Sequence, residues 1–360
     1  MKLLPYFIIV FSSVSCLSQT LKSRLLDVEN GHPVSDAFIF FANTSTGTSS
    51  QDDGTFELPC LEGTDLLLII SHLNYLTKNI EIHPDSKFPD TIYLNPNELL
   101  LDQVVVAKKA EPRVRRQREN SFLKAFIGDD RKKITIENLD HLLFWEENDT
   151  LMCSADQPII FNNELLGYKV TYFLEHFKLH PNDDVQFQGK AFFEEDLEAT
   201  GKKLAQIRKN RLKAYYNSPT YFFLRIIENQ IDSSQYQIGV SRRLADRTFE
   251  LYQLWDPSKL EQDSVRNQFI IKCKDYFTVV NKGVRKAGAQ PSPKLMPGAF
   301  GEKKSAPIIY ETSYLYPTLG KIRVDQHGNI LNHDEIEEFG FWATIRTSQL
   351  LPKDYTPPTR

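Results

Sequence analysis

The chain is poor in cysteine, with four among its 360 residues: Cys16, Cys60, Cys153 and Cys273. So few, so far apart, exclude a disulfide-built scaffold, and no spacing among them suits a zinc site. Removing Cys16 with a leader would leave an odd number, so at least one thiol is then free or pairs between chains. In "QFIIKCKDYF" Cys273 alternates in step with Phe269 and Ile271, the position of a small buried hydrophobe. Long apolar runs are also scarce. Beyond the first residues none exceeds "LLLII" (66–70), and mean hydropathy is −0.38, which excludes a polytopic membrane protein. Neither sign of charge dominates: 43 basic against 47 acidic residues give a net charge of −4. That balance offers no bulk field for nucleic acid. The nucleophile elbow G-x-S-x-G, the P-loop, G-x-G-x-x-G and HExxH are all missing.

What is present begins with "MKLLPYFIIVFSSVSCLSQ": one lysine, an apolar run from Leu3 to Phe11, then small polar residues. This is the layout of a signal peptide over residues 1–18, and the run is too short to span a bilayer. The expectation is export to the periplasm, the outer-membrane surface or the medium. Two processing routes stay open. Cleavage after Ser18 would leave Gln19 first; alternatively "SVSC" is a lipobox and Cys16 a lipid anchor, although Ser13 stands where a branched apolar residue is usual. An uncleaved anchor is a third possibility.

The length suggests about two domains. Twenty-four Phe and 15 Tyr favour strands. Residues 21–106 divide into seven short strand-like segments: "LKSRLLDV", "VSDAFIFFANT", "GTSSQDDGTFELP", "DLLLIISHLNY", "TKNIEIH", "DTIYLNP" and "LDQVVVAK". Turn chemistry marks the breaks at Asn30-Gly31, Asp53-Gly54, Pro84-Asp85 and Asn95-Pro96. The continuous apolar runs 38–41 and 66–70 fit strands in the middle of a small sandwich. "QDDG" (51–54) is read as a turn, since the D-x-D-x-D-G calcium spacing is absent.

The pattern "L.D..NG.PVSDAFIFFANTSTGTSSQDDGTFEL", then "LLLIISHLNY", then "LDQVVV", resembles the carboxypeptidase regulatory-like domain, a transthyretin-like β-sandwich common in envelope proteins of the Bacteroidetes. Gly31, Pro33, Ala37, Thr48, Asp53-Gly54-Thr55-Phe56 and Ser71 carry the likeness, and Asn74-Tyr75 stands where the family has Gly-Tyr. The resemblance implies a seven-stranded, non-catalytic sandwich over residues 19–107. No zinc-carboxypeptidase ligand set follows it. "LDQVVVAK" is also similar to the segment before the plug of TonB-dependent receptors, but too few residues follow for a plug and a large barrel.

Residues 108–120 open on "KKAEPRVRRQR", which shows no apolar periodicity and is read as a basic linker. Arg113, Arg115, Arg116 and Arg118 are candidates for contact with an anionic surface, such as lipid head groups or lipopolysaccharide phosphates. A short helix is expected over 120–128, with Asn120 or Ser121 as its cap. The remainder, 121–355, is expected to be a larger α+β domain with an antiparallel sheet and two or three helices. In "YKVTYFLEHF" (168–177) both faces are apolar, so this strand is either buried on two sides or floors a cleft. "GKKLAQIRKNRLKAYYNS" and "SPTYFFLRIIENQI" read as consecutive helices, the second capped by Ser218 with Pro219 at its first position. "DQHGN" (325–329) is a hairpin turn in which Gly328 supplies a positive φ. The Pro/Gly-rich stretch 286–307 reads as a disordered loop or a lid. This second half is similar to a region found beside the sandwich in uncharacterised secreted proteins, which implies location and architecture but no chemistry.

Candidate ligand contacts are Tyr172, His176, Arg208, Arg211, Tyr215, Tyr216 and Arg225; the helical members, with Lys213 and Tyr221, mix cations and aromatics able to stack a sugar or grip an anion. His176 and His180 are the best-placed metal ligands, but on one strand they lie roughly 13 Å apart. Neither a metal nor a cofactor is therefore expected. The acid pairs Asp183-Asp184, Glu194-Glu195 and Glu337-Glu338 point to opposite faces of a strand, so a glycosidase pair would have to come from separate strands. Two functions follow. One is an exported, non-catalytic binding, assembly or scaffold protein whose partner is an envelope protein or glycan, not nucleic acid, with peripheral or lipid-anchored membrane contact. The other is a hydrolase of glycan or peptide polymers with an unrecognised site in 121–355.

Overall fold

The computed structural model describes residues 20–60, 65–83, 87–97, 111–181, 185–196, 198–282 and 310–358. The expected leader, the "LDQVVVAK" segment and the 286–307 stretch lie outside them. The molecule is mainly β, with mostly antiparallel sheets and, among the described residues, three α-helices.

Among the described residues seven strands form the N-terminal sandwich. One sheet holds β4 (Thr55–Pro59), β1 (Thr20–Asp27) and β7 (Thr91–Leu94), with β1 and β7 parallel; the other runs β3 (Gly47–Ser49), β2 (Phe38–Phe41), β5 (Leu66–His72), β6 (Tyr75–Ile82). Among the described residues "GTSSQDDGTFELP" breaks into β3 and β4 at its Asp-Gly turn, two strands where one was expected. Alternation fills the core: Leu21 and Leu25 from β1, Phe56 and Leu58 from β4, Ile39 and Phe41 from β2, Leu68 and Ile70 from β5. Gly31 and Gly54 take positive φ values of 70° and 80° at the two predicted turns. The carboxylate of Asp27 accepts the Tyr75 hydroxyl at 2.8 Å and the Glu29 amide at 2.7 Å, tying the first strand to the Asn74-Tyr75 turn.

The expected linker is corrected in part. Helix α1 covers Pro112–Ile127, so the basic run from 112 onward is helical; Glu111 is the N-cap and Asn120 and Ser121 lie mid-helix. Pro112 sits in the first turn, where its fixed φ suits the helix and its missing N–H costs nothing. Apolar periodicity fails there because only the far end, Phe122, Phe126 and Ile127, is buried.

That end packs on a six-stranded sheet of β8 (Ile134–Ile136), β11 (Ile159–Asn163), β12 (Tyr168–Leu179), β10 (Thr150–Ala155) and β9 (Leu142–Glu147), with β13 (Val185–Glu195) also paired to β12. Helices α2 (Gly201–Tyr216) and α3 (Pro219–Ile227) follow, and Ser218 caps α3 by accepting the Tyr221 amide at 3.2 Å, as predicted. α3 buries Phe222, Phe223 and Ile226 against a five-stranded sheet of β15 (Phe249–Leu254), β14 (Tyr236–Arg243), β18 (Tyr276–Asn281), β19 (Glu311–Pro317) and β21 (Ile336–Gly340). A smaller sheet, β16 (Glu261–Asp263), β17 (Gln268–Lys272) and β20 (Lys321–Asp325), adds Ile271, Ile322 and Val324 to the same core. Gly328 has φ 86° in the predicted hairpin turn.

The sandwich and the six-stranded sheet share a buried aromatic cluster. Phe40 and Ile69, on the outward faces of β2 and β5, meet Phe192 of β13, with Phe38 and Phe173 against them. Asn43 donates its amide to Ala191 O at 2.7 Å and accepts the Ala191 amide through Oδ1 at 2.9 Å. From the far end of the chain, Lys353 donates its amide to Asn43 O at 2.7 Å, and the Asp354 carboxylate accepts the Ser45 amide and hydroxyl.

Candidate functional site

Three surfaces bear on function. The first is built by α2 and α3. Arg211 donates Nε to Leu166 O at 2.7 Å and Nη2 to Gly167 O at 2.9 Å, pairs with Glu195 at 2.5 Å, and lies 3.9 Å from the Tyr168 ring centre. Every arm of its guanidinium is engaged, so it staples α2 to the β11–β12 turn. Tyr215 is buried against Tyr355, Tyr216 and Tyr221. What remains open is Tyr216, edge-on to Tyr221 at 4.9 Å, and Arg225, which lies 6.0 Å from Tyr221 and pairs with Glu228. Arg208 is exposed one turn earlier on α2. The structure thus gathers Arg211, Tyr215, Tyr216, Tyr221 and Arg225 along one helix corner, with Tyr355 added.

Tyr172 and His176 sit elsewhere. Tyr172 is buried against Phe126, and burial raises its phenol pKa. A bulge between Leu174 and His176 shifts the phase of β12, so Tyr168, Val170 and Tyr172 face the core before it and Phe177 after it. His176 is left exposed. One face of the strand is buried; on the other, Phe173 packs towards the sandwich while Lys169, Glu175 and His176 are exposed.

The second surface is the outer side of α1. Arg115 pairs with Glu119 at 2.8 Å and donates to Leu139 O at 3.1 Å; Arg118 pairs with Glu146 at 3.1 Å. Arg113 and Arg116, on the neighbouring face, line an open hollow of about 650 Å³ together with Lys124 and Arg131.

The third lies where the six-stranded sheet, the β20–β21 connection and the C-terminal segment meet. Lys190 Nζ stands 3.4 Å from Asp334 and 3.8 Å from Glu175, and Gln188 donates to Asp334. His333 Nδ1 is 3.8 Å from Glu338 Oε1, an atom sealed from solvent that has no hydrogen-bond partner among the described residues. Burial pushes the Glu338 carboxyl up to about 7. Although half its side-chain surface is open, His333 is hemmed in by protein, and this, with Lys353 and Lys190 beside it, pushes its imidazole down to about 4. Such a carboxyl holds or releases a proton near neutrality, the property a general acid needs. Sequence reasoning missed this site because its members come from four separate elements. Only Glu337-Glu338 stands out in the sequence, and as a pair whose members do not cooperate.

Sequence reasoning also missed an aromatic layer on the five-stranded sheet. Phe249 stacks on Tyr314 at 3.8 Å, Tyr276 lies 5.0 Å from Tyr316, and Arg243 lies 5.0 Å from the centre of Phe339. Its signal was the alternation of Tyr314 and Tyr316 about the buried Leu315. Cys153 and Cys273 are buried thiols whose pKa burial raises, a setting of low nucleophilicity. Among the described residues no group of three or more His, Cys, Asp or Glu side chains is placed to hold a metal ion, and no helix is long and apolar enough to cross a membrane.

A search of curated proteins finds no match to this chain. A scan of family models does: residues 23–106 match the CarboxypepD_reg-like domain, covering the strands β1–β7 whose Gly31, Gly54, Asp27 and Tyr75 set the turns described above. The N-terminal sandwich of this protein is a CarboxypepD_reg-like domain.

Proposed function

We propose that this protein is an exported cell-envelope component that works by binding and assembly, with its CarboxypepD_reg-like domain as a brace. The observation that carries this reading is the double burial of β2. Ile39 and Phe41 fill the sandwich core, while Phe40 on the opposite face packs on Phe173 and Phe192 of the six-stranded sheet. A domain whose outward face is covered in this way steadies its neighbour rather than swinging on a tether. The partner is an envelope protein or glycan, and the open aromatic side chains Tyr216 and Tyr221 beside Arg225 suit stacking on a sugar face. The apolar leader supports export. The test is cell fractionation of the full chain with sequencing of its mature N-terminus. The envelope fraction should hold a chain starting at Gln19 or at an acylated Cys16, whereas an unprocessed chain in the cytoplasm overturns the reading.

A second reading, a hydrolase of glycan or peptide polymers, is favoured by one observation: Glu175 and Asp334 flank Lys190, and His333, next to Asp334 in the chain, faces the carboxyl of Glu338. It predicts turnover in a polymer panel that Glu338→Gln abolishes without loss of fold. Turnover that survives Glu338→Gln, or none at all, removes it.

A further inference from the structure

Arg113, Arg116, Asn120, Ser121, Lys124 and Arg131 line the hollow on α1. The helical positions are three or four apart, so they share one face, and the 3-10 turn Arg131–Lys133 brings the last cation to it. No acidic side chain among the described residues lines the hollow. Among the described residues no hydrogen bond or ion pair engages the side chains of Arg113, Arg116 or Arg131.

This arrangement is unfavourable on its own terms. Like charges repel, and Arg113 stands in the first helical turn, where the exposed N–H groups already present positive charge. No acidic residue occupies that turn to compensate, and the Glu111 side chain makes no capping bond. One face away, Arg115 and Arg118 each have a carboxylate. The helix therefore keeps one pair of arginines for itself and leaves another pair, with a third arginine opposite, without a carboxylate among the described residues.

We infer that this hollow binds a phosphoryl group, as a phosphate ester or a diphosphate. Two guanidinium forks one turn apart match the several oxygens of a tetrahedral anion better than a single carboxylate, and Asn120 and Ser121 supply neutral donors at the rim. The volume falls in the range of small-ligand sites and leaves room for the group that carries the phosphate. The site is independent of export and of the brace: it concerns only the charge on α1.

The test uses the full chain with two probes, at low and physiological salt. One is inorganic pyrophosphate, followed by calorimetry; the other is phosphatidylcholine vesicles with and without phosphatidylglycerol, followed by sedimentation. Binding of pyrophosphate identifies a soluble phosphate compound, and binding only to anionic vesicles identifies a lipid head group. In either case Arg113→Gln/Arg116→Gln should weaken binding at least about tenfold, while Arg115→Gln changes it by less than about twofold. Thermal unfolding of the double variant verifies that it folds, and Arg131→Gln provides a second, single-site probe. The inference is overturned if neither probe binds, or if both variants bind like the parent.

Discussion

The aromatic seam between the sandwich and the six-stranded sheet and the basic hollow on α1 are opposites in how the protein treats the groups it places there. At the seam every group is answered. Phe38, Phe40, Phe173 and Phe192 lie within 5.5 Å of one another in the pairs that touch, and the polar groups of Asn43 and Asp354 bond across the joint. At the hollow three arginines have no partner among the described residues. Completed interactions hold structure together, whereas incomplete ones cost stability and persist where something outside completes them. The difference implies a ranking: substitutions at the seam should unfold the protein, and substitutions at the hollow should leave it folded.

The largest effect is expected at Phe192. Phe192→Ala removes a buried ring from between two sheets and should cost about 3–5 kcal/mol, read as a lower denaturant midpoint. Adding bulk breaks the seam as well. A Cβ on Gly47 would stand 2.7 Å from the Phe192 ring, so Gly47→Ala should force that ring aside and destabilise by about 1–3 kcal/mol. A neutral result at both positions would mean that the sandwich does not lean on this sheet, and the brace reading would go with it.

Arg211 comes next. The sequence suggests a ligand contact, but its donors are consumed by Leu166, Gly167 and Glu195. Arg211→Ala should therefore lower the unfolding midpoint, and Arg211→Lys should not restore it, because an ammonium cannot span two carbonyls and a carboxylate.

Such residues show how far the sequence could be read. The sandwich is legible because its turns are local: Asn30-Gly31 and Asp53-Gly54 announce themselves within two residues. The runs "FIFF" and "LLLII" read as buried on both faces, and they are, but the second covering layer is Phe192 and Phe173, more than a hundred residues away. No local pattern carries that pairing. The basic stretch misleads for a related reason. Its helix is held by Pro112, by the Arg115–Glu119 pair and by carbonyls at 139 and 140, and apolar periodicity registers none of these. His176 reads from the sequence as a ligand contact grouped with Tyr172, and the bulge at 174–176 separates them, leaving Tyr172 in the core and His176 exposed. The Glu338 site is invisible in the sequence because it depends on four elements meeting in space.

Proton binding sharpens the comparison at Glu338 and His333, two groups hemmed in by protein that pull in opposite directions. The folded Glu338 carboxyl titrates near 7, above its ordinary value of 4.5. Its contribution is therefore fully present at low pH and is lost as pH rises through that window, at roughly 1.4 kcal/mol per pH unit. The folded His333 imidazole titrates near 4, below 6.5, so its contribution is present above 6.5 and is lost as pH falls. Lys353, Lys190 and Asp334 act on the imidazole, and the two slopes oppose each other in the parent, the half-exposed His333 contributing the more screened one. Glu338→Gln should leave stability rising with pH between about 4 and 6.5, and His333→Gln should leave it falling between about 4.5 and 7. Parallel curves for all three proteins would show that neither group is held as described.

The smallest effect is expected at the hollow itself. Arg113→Gln/Arg116→Gln relieves repulsion among cations and removes no partner, so the unfolding midpoint should stay level or rise by a degree or so, with ΔΔG within about 0.5 kcal/mol. The gain should be greatest at low salt and vanish at high salt, where the charges are already screened. Arg115→Gln/Arg118→Gln is the matched control: it breaks pairs with Glu119 and Glu146 and should lower the midpoint. If the first pair destabilises as much as the second, Arg113 and Arg116 are structural after all, and the contrast between an answered seam and an unanswered hollow disappears.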